Sequence, residues 1–206
     1  MKVNEELSRI RARIMNCTAC PLHVGRKNPV PGEGPADAPL LLVGEAPGRE
    51  EDETGRPFVG MAGRLLTEML KEAGVPRSSV YITSVIKCRP PGNRNPKKGE
   101  IEACRGYLLE QIAAVRPEVV VLMGNVALNS LKEVWKLPGG NIGEISGELY
   151  DRGDFKVLVT YHPAGVLRDR RRKRPLFVSH IRLAAEEAVK KRGEGWLGLR
   201  LEEFEG

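Results

Sequence analysis

The chain lacks the features that place a protein in a membrane or export it. It contains no apolar run approaching the roughly 18 residues that a membrane-spanning helix needs. Its beginning, MKVNEELSRIRARI, is charged throughout, unlike the apolar stretch of a secretory signal. We therefore expect a soluble, cytoplasmic protein without a membrane contact.

Several common catalytic patterns are missing too. There is no GxGxxG and no GxxxxGK[ST] to cradle a phosphate, and there is no Ser-His-Asp pattern for acyl transfer. Solenoid repeats and low-complexity linkers are absent. With 206 residues, 41% of them hydrophobic, the chain is long enough to bury one sizeable core, so we expect a single domain over residues 1–206.

What the sequence does contain is an alternation of apolar runs and helical patterns. Continuous runs rich in Val, Ile and Leu predict buried parallel strands at 39–44, 80–85, 118–124 and 156–161. Helices are predicted at about 3–14, 61–73, 98–115, 125–135 and 176–191. This order predicts an α/β fold: a three-layer α/β/α sandwich with a central, mostly parallel four-stranded sheet and right-handed crossovers.

Polar residues follow the ends of the predicted strands. Glu45 follows the first strand, Ser84 ends the second and His162 follows the fourth. Because ligands of open parallel sheets bind beyond the carboxyl ends of the strands, we expect these side chains to converge on one pocket. Asn125 is explained equally well by a strand that ends at the surface. Glu45 and His162 instead lie in GEAPG and HPAG, where proline and glycine fix the backbone and let a ligand approach closely.

Positive charge is concentrated in one segment. The net charge is +6, and residues 168–174, RDRRRKR, contribute +5 from six basic residues and one acidic residue. Such a run is most often a solvated surface segment. This one directly follows YHPAGVL, so we expect it to form the lip of the pocket. Contact with a phosphate backbone requires a basic loop of this kind.

The four cysteines suggest a metal site. In a cytosolic chain such a set binds metal or does chemistry more often than it forms disulfides. The spacing leaves structural zinc, a [4Fe-4S] cluster and free buried thiols open, with a slight preference for zinc, although Pro21 after the CxxC is typical of iron–sulfur sequences. His23 could complete a Cys3His zinc site, but four cysteines suffice. The residues are Cys17, Cys20, Cys88 and Cys104.

The expected pocket favours a flat polar ligand. It combines a carboxylate (Glu45), an imidazole (His162) and an aromatic ring on a loop bounded by glycine and proline (Phe58), beside a basic lip. A base stacked on Phe58 and delivered by a nucleic acid fits this combination, as in enzymes that flip a base out of its stack.

Three ordered stretches then carry a resemblance to a known family. GEAPGREEDETGRPFVG, TSVIKCRPPGNRNP and HPAGVLR, together with the four cysteines in this order, resemble the family 4 uracil-DNA glycosylases, the iron–sulfur-containing branch of thermophiles. The resemblance extends from about Cys17 to the helix after His180. It implies that the chain flips uracil out of DNA and hydrolyses its N-glycosidic bond, which initiates base excision repair. It also implies a structural [4Fe-4S] cluster on the four cysteines, in place of zinc.

The resemblance also implies roles for individual residues. Uracil would stack on Phe58, beside Glu45, Ala46 and Pro47, and His162 would hydrogen-bond the uracil O2. A carboxylate near the sugar and a donor near O2 would stabilise the opposite charges that develop as the bond breaks. Glu45 would therefore either stabilise the sugar cation or hold the attacking water.

The resemblance gives two further residues, Asn93 and Glu51, positions that bear on activity. Asn93 also fits a plain turn after glycine. Glu50, Asp52 and Glu53 are expected to cap or solvate the turn before Phe58. The loop from His162 through Arg174 would enter the DNA groove, and the DNA contacts would be Arg168, Arg170, Arg171, Arg172, Lys173 and Arg174.

One position departs from the family pattern. Ser84 stands in TSVIKC where the family usually has Asn, whose amide would read the N3–H and O4 edge of uracil with a donor and an acceptor together. A serine hydroxyl is shorter and rotatable. We hypothesise that base discrimination is weakened, so that other deaminated bases such as hypoxanthine are accepted.

Two other functions stay open at this point. One is a non-catalytic nucleic-acid-binding module of the same fold, and the intact Glu45, Phe58 and His162 argue against it. The other is an iron–sulfur electron carrier, for which the chain shows no second cofactor motif. We expect a monomer that acts on DNA containing uracil or another deaminated base and associates with the nucleoid through that DNA.

Partner proteins are not readable from the sequence. No clamp-binding peptide stands out. The C-terminal tail GWLGLRLEEFEG either packs on the core, which we favour, or binds a partner.

Overall fold

The computed structural model describes residues 2–193, except the side chains of residues 2 and 3. The interpretation of the C-terminal tail therefore lies outside the described residues. None of the helices in this part of the chain combines the length and apolar character needed to cross a membrane.

A five-stranded sheet forms the centre of the molecule, in the spatial order β2-β1-β3-β5-β4. The strands are β1 (Leu40–Gly44), β2 (Tyr81–Ser84), β3 (Val119–Met123), β4 (Leu149–Asp151) and β5 (Lys156–Thr160). All the pairings among β1, β2, β3 and β5 are parallel, which confirms the mostly parallel sheet. Four strands, however, was the wrong number, because β4 pairs antiparallel with β5 at one edge.

The helices are α1 (Lys2–Met15), α2 (Leu22–Gly25), α3 (Arg49–Thr54), α4 (Met61–Glu72), α5 (Lys98–Val115), α6 (Asn125–Leu131), α7 (Ile142–Ile145), α8 (Pro163–Arg168) and α9 (Arg170–Arg192). Short 3-10 turns cover Arg77–Ser79 and Pro91–Asn93. All five predicted helices are present, although α6 is four residues shorter than predicted.

Alternate residues of each strand enter two separate cores, one on each face of the sheet. Leu40 and Leu42 of β1 pack with α4 and α9, whereas Leu41 and Val43 pack with α5 and α6. Because both faces are covered, the strands read as continuous apolar runs rather than as alternating ones. This arrangement confirms the α/β/α sandwich.

The basic run is helical and does not form the loop that the sequence suggested. Helix α8 ends at Arg168 and α9 begins at Arg170. Between them Asp169 leaves the helical conformation, with φ of −148°. The helix prediction began six residues too late because residues 170–174 show no apolar period and Pro175 lies inside the helix. The segment after His162 is therefore built from two helices joined at Asp169.

Candidate active site

A cleft of about 930 Å³ opens beyond the carboxyl ends of the parallel strands, within the size range of small-molecule sites. The structure brings the predicted base-site residues together around it. Its lining includes Glu45, Ala46, Pro47, Glu51, Phe58, Ser84, Asn93 and His162.

Phe58 occupies an unusual backbone conformation at this cleft. Its φ is +50°, in the left-handed region that residues with a side chain rarely adopt. Its ring lies so close to Gly44 that a Cβ on Gly44 would come within 2.4 Å of Cζ. A Cβ on Gly63 would meet the Phe58 carbonyl carbon at 2.0 Å. Glycines at the end of β1 and in α4 therefore make room for the ring and for the turn that carries it.

Two charged side chains bind the backbone of this turn, one at its amides and the other at its carbonyls. The Glu51 carboxylate accepts hydrogen bonds from the amides of Val59 (2.9 Å), Gly60 (2.8 Å) and Gly48 (3.0 Å). The Arg77 guanidinium donates to the carbonyls of Phe58 (3.0 Å) and Pro57 (2.7 Å). Glu51 thus has a structural explanation for its position. Sequence reasoning missed Arg77, which lies 19 positions from Phe58 and in no motif.

His162 is held as a neutral hydrogen-bond donor. It is the N-cap residue of α8, and its Nδ1 accepts a hydrogen bond from the Ala164 amide at 3.2 Å. The proton of the neutral ring therefore lies on Nε2, which is buried and has no hydrogen-bond partner among the described residues. Burial, helped by the charge of Arg168, lowers the pKa of His162 to about 4. Its ring centroid is 5.7 Å from that of Phe58.

Glu45 is a half-buried carboxyl at the end of β1. Burial raises its pKa, because the charged form loses hydration. The backbone around it is fixed on β2, since the Glu45 carbonyl accepts from the Ile86 amide at 3.3 Å and the Gly44 carbonyl from the Val85 amide at 3.0 Å. A carboxyl with a raised pKa in a cleft is suited to act on a cation or on a water molecule.

Ser84 lies at the end of β2, and a buried lysine donates a hydrogen bond to its carbonyl. Lys87, only 1% exposed, donates to the Ser84 carbonyl (2.6 Å), to Thr83 Oγ1 (2.7 Å) and to Gln111 Oε1 (2.8 Å). Burial lowers the pKa of Lys87 to about 8. Sequence reasoning missed this network, because a lysine in TSVIKC gave no sign that it would be buried.

Asn93 lies in a turn and also lines the cleft. It has φ of +55°, and its Oδ1 accepts a hydrogen bond from Arg89 Nε at 2.7 Å, as a turn-stabilising residue would. It also lines the cleft. Its part in activity stays a prediction.

The acidic stretch before Phe58 divides by burial. Glu50 and Glu53 are surface partners of Arg64 (3.0 Å) and Arg49 (3.1 Å), as expected of residues that solvate a turn. Asp52 is instead 3% exposed, and its Oδ1 accepts from the Lys27 amide at 2.9 Å. The expectation that Asp52 caps or solvates the turn before Phe58 was wrong, because this carboxylate accepts from backbone amides of the segment before β1.

The basic run also divides. Arg168 and Lys173 line the cleft, and Arg170, Arg171 and Arg172 are exposed. Arg174 pairs with Glu72 (3.0 Å) and Glu68 (3.4 Å) of α4. Contact of the first five with DNA stays a prediction, whereas Arg174 links α9 to α4.

The four cysteines line one small cavity between α1, α2 and α5, together with Arg26, Lys87 and Tyr107. Arg26 donates to Cys88 Sγ at 3.1 Å. No three Cys, His, Asp or Glu side chains in residues 2–193 form a group that could hold a metal ion. The four thiols share this cavity with two cations but do not form such a group, so the [4Fe-4S] cluster stays a prediction.

Comparisons with known proteins identify the family of the chain. Residues 31–185 match the family model described as the uracil DNA glycosylase superfamily. The chain is 46% identical over 167 residues to a protein of Pyrobaculum aerophilum named type-4 uracil-DNA glycosylase, covering 79% of this chain and 85% of that protein. Proteins of the same name from Thermotoga maritima (45% over 195 residues, 94% and 100% covered) and Archaeoglobus fulgidus (46% over 167 residues, 79% and 84% covered) are similar too.

Proposed function

The chain belongs to the uracil-DNA glycosylase superfamily and, within it, to the type-4 uracil-DNA glycosylases, and we propose that it excises uracil from DNA by hydrolysing the N-glycosidic bond. The substrate is DNA with a uracil turned out of the helix into the cleft. The observation that carries this proposal is the neutral His162, whose buried Nε2–H has no partner among the described residues.

The reaction needs opposite charges to be stabilised at the two ends of the breaking bond. The sugar becomes oxocarbenium-like, and the departing base gains negative charge that extends to O2. The Nε2–H of the neutral His162 would donate a hydrogen bond to this anion, and a preorganised donor of this kind contributes about 10²–10³ in kcat. Because its pKa is about 4, His162 keeps this form at neutral pH.

Glu45 acts at the sugar end. As a carboxylate it stabilises the cation or orients the water that attacks the sugar carbon. Phe58 stacks on the base and holds it against His162. The two oxygens of Glu51 accept three backbone amides of the loop that carries Phe58 and of the turn before α3. We therefore assign Glu51 a positioning role.

Excision by three proteins tests the assignment: the wild type, Glu45→Ala and His162→Ala. Each is incubated with a uracil-containing oligonucleotide, and the product is treated with alkali and sized. We expect strand scission with the wild type and strongly reduced scission with both variants. The absence of abasic product from the wild type would overturn the proposed function.

We further propose that Ser84 widens the range of bases. Ser84 lines the cleft and is 4% exposed, and its hydroxyl offers a rotatable donor where an amide would offer a fixed donor and acceptor. Duplexes containing uracil, hypoxanthine or xanthine measure this range. We expect activity on more than uracil, and narrower activity for Ser84→Asn. Activity on uracil alone, unchanged in Ser84→Asn, would contradict the proposal.

The proposed cofactor is a [4Fe-4S] cluster held by Cys17, Cys20, Cys88 and Cys104. When bound, it supplies a covalent tie between the N-terminal segment and the segment from β2 to α5, and it takes no part in breaking the glycosidic bond. The Arg26 hydrogen bond to Cys88 Sγ favours the thiolate that such a ligand requires.

A further inference from the structure

The Phe58 turn poses a physical problem that the base-stacking role makes important. A phenylalanine at φ of +50° is strained by roughly 1–3 kcal/mol, so its conformation persists only where surrounding contacts enforce it. If the turn relaxed, the ring would leave the position above the base. The contacts that hold the turn therefore control the geometry of base binding.

Arg77 provides the contacts that Glu51 does not. Glu51 accepts hydrogen bonds from the two amides that follow Phe58, those of Val59 and Gly60. Arg77 instead binds the carbonyls of Pro57 and Phe58 with two different nitrogens of one guanidinium. A planar fork with two donors fixes both peptide planes at once, which a single-point donor such as lysine does not do.

The guanidinium is itself held in place. Its side chain is 20% exposed, and it also donates to Glu33 Oε1 (3.1 Å) and to Thr67 Oγ1 (3.1 Å). Burial alone would raise the pKa of Glu33, but hydrogen bonds from Arg56 and Arg77 lower it, so this carboxylate stays charged. The Glu33 backbone pairs with Ile82 of β2 in both directions (3.0 and 2.8 Å). Arg77 thus transmits the position of the sheet edge to the Phe58 turn.

We propose that Arg77 is a positioning residue for uracil excision, which acts through Phe58 by fixing the turn that carries its ring. The inference rests on the proposed function, because it concerns the ring that would stack on the base. Arg77 lies outside the lining of the cleft, so it contacts neither base nor sugar. Its effect on the reaction passes entirely through the ring.

Arg56 offers a matched control on the same carboxylate. Its guanidinium binds Glu33 at 3.0 and 3.3 Å. Its side chain is 64% exposed, and among the described residues its guanidinium donates only to Glu33. Arg77→Met and Arg56→Met each remove one cation from Glu33. Only Arg77→Met releases the Phe58 turn.

The test is a double-mutant cycle in single-turnover excision of uracil from an oligonucleotide. The proteins are the wild type, Arg77→Met, Arg56→Met, Phe58→Ala and the double variant Arg77→Met/Phe58→Ala, with melting temperature measured for each. We expect Arg77→Met to slow excision by about 10- to 100-fold, as a misplaced contact does, with a far smaller effect of Arg56→Met. In the Phe58→Ala background, Arg77→Met should add almost nothing, because the ring it positions is gone.

Each other outcome has a distinct meaning. Equal losses in Arg77→Met and Arg56→Met, or losses of Arg77→Met and Phe58→Ala that multiply in the double variant, would overturn the positioning role while wild-type excision stands. A wild type that releases no uracil overturns the proposed function itself. If Arg77→Met does not fold, Arg77→Lys replaces it in the cycle. That variant keeps the charge beside Glu33 and loses the fork, and it is expected to be slowed to an intermediate degree and to show the same non-additivity.

Discussion

At the scale of single residues, two features shape the cleft. Glycines leave space where a side chain would clash, and charged side chains form hydrogen bonds with the backbone of the Phe58 loop. Gly44 and Gly63 leave the space that Phe58 occupies. Glu51 and Arg77 then bind the peptide groups around that ring. Within GEAPGREEDETGRPFVG, Glu45 is the carboxyl that we propose acts at the sugar, and Glu51 is the acid that binds the backbone of the Phe58 loop.

We expect protonation of Glu45 to cause the loss of activity at low pH. Burial raises the pKa of this carboxyl above its ordinary 4.5, so kcat/KM is expected to fall as the pH drops through that raised pKa and the carboxylate takes up a proton. His162, with a pKa of about 4, takes up its proton only at lower pH. Excision rates measured against pH for the wild type and His162→Gln test the assignment. The variant should be slower and should keep the same acid limb; an acid limb that vanishes in His162→Gln would assign it to the histidine instead.

A methyl group on Gly44 should disturb the ring. The new Cβ would lie 2.4 and 2.6 Å from two Phe58 ring atoms, closer than carbon atoms approach. We expect Gly44→Ala to slow excision by about 10- to 100-fold through displacement of the ring. Gly106→Ala is the control, since a Cβ there meets nothing within 4 Å. Equal excision rates for the two variants would show that the ring yields without loss.

At the scale of elements, the basic run works as two different helix surfaces. Arg168 at the end of α8 and Lys173 in the first turns of α9 line the cleft, and the Lys173 ammonium lies 5.5 Å from the centre of the Tyr161 ring. Arg174, one position further on, faces α4 and binds two glutamates there. The six cations of this run therefore divide among three places: Arg168 and Lys173 line the cleft, the arginines at 170–172 are exposed, and Arg174 makes a helix–helix contact.

Salt dependence should separate these two roles. If Arg168 and Lys173 each contact one phosphate, Arg168→Ala and Lys173→Ala are each expected to weaken DNA binding and to reduce the slope of log affinity against log salt by about 1. Arg174→Ala is expected to leave the slope unchanged and to lower the free energy of unfolding by up to about 1 kcal/mol, as for an exposed ion pair. Titrations at several salt concentrations measure the slopes. A slope that falls equally for Arg174→Ala would place that side chain on the DNA.

The elements that could be predicted from sequence are those whose signal is local. Strands β1, β2, β3 and β5 are buried on both faces, so each appears as an apolar run. Strand β4 is three residues long and half exposed at the sheet edge, so it carries no such run. Glu45, Ser84 and His162 were readable because they lie at strand ends. Arg77 was not, because its role depends on hydrogen bonds to residues distant along the chain.

At the scale of the whole molecule, the cysteine site connects parts of the chain that the main sheet does not hold directly. Helix α1 packs on α5 through a small separate core of Ile10, Ile14 and Ala114. Cys17 and Cys20 follow α1, Cys88 follows β2, and Cys104 lies in α5. The turn over Pro91–Asn93 lies between this site and the cleft, since Pro90 and Arg94 line both the cleft and a neighbouring cavity of about 620 Å³ that Cys20 also lines.

Removal of the proposed cluster should therefore loosen one side of the cleft and leave the sheet intact. With the tie between the cysteine segments gone, we expect faster amide hydrogen exchange over residues 16–26 and 88–97, and little change in β1 and β3, whose side chains are fully buried. The turn at Asn93 would be affected because the contacts that hold it are local: the Arg89–Asn93 bond, the Arg94–Glu100 pair and the backbone hydrogen bonds from Asn93 to Pro90 and from Arg94 to Pro91. Exchange followed by mass spectrometry, before and after oxidative loss of iron, measures this.

The same experiment distinguishes the cluster from the alternatives that the cysteine spacing left open. The protein purified with its metal should absorb visible light and contain iron, and Cys17→Ser should lose that absorbance and show the loosened exchange pattern without oxidation. Zinc in place of iron, without visible absorbance, would contradict the cluster. Iron loss that speeds exchange uniformly across β1 and β3 would contradict the local role, because the cysteine site would then support the whole sheet rather than the segment beside the cleft.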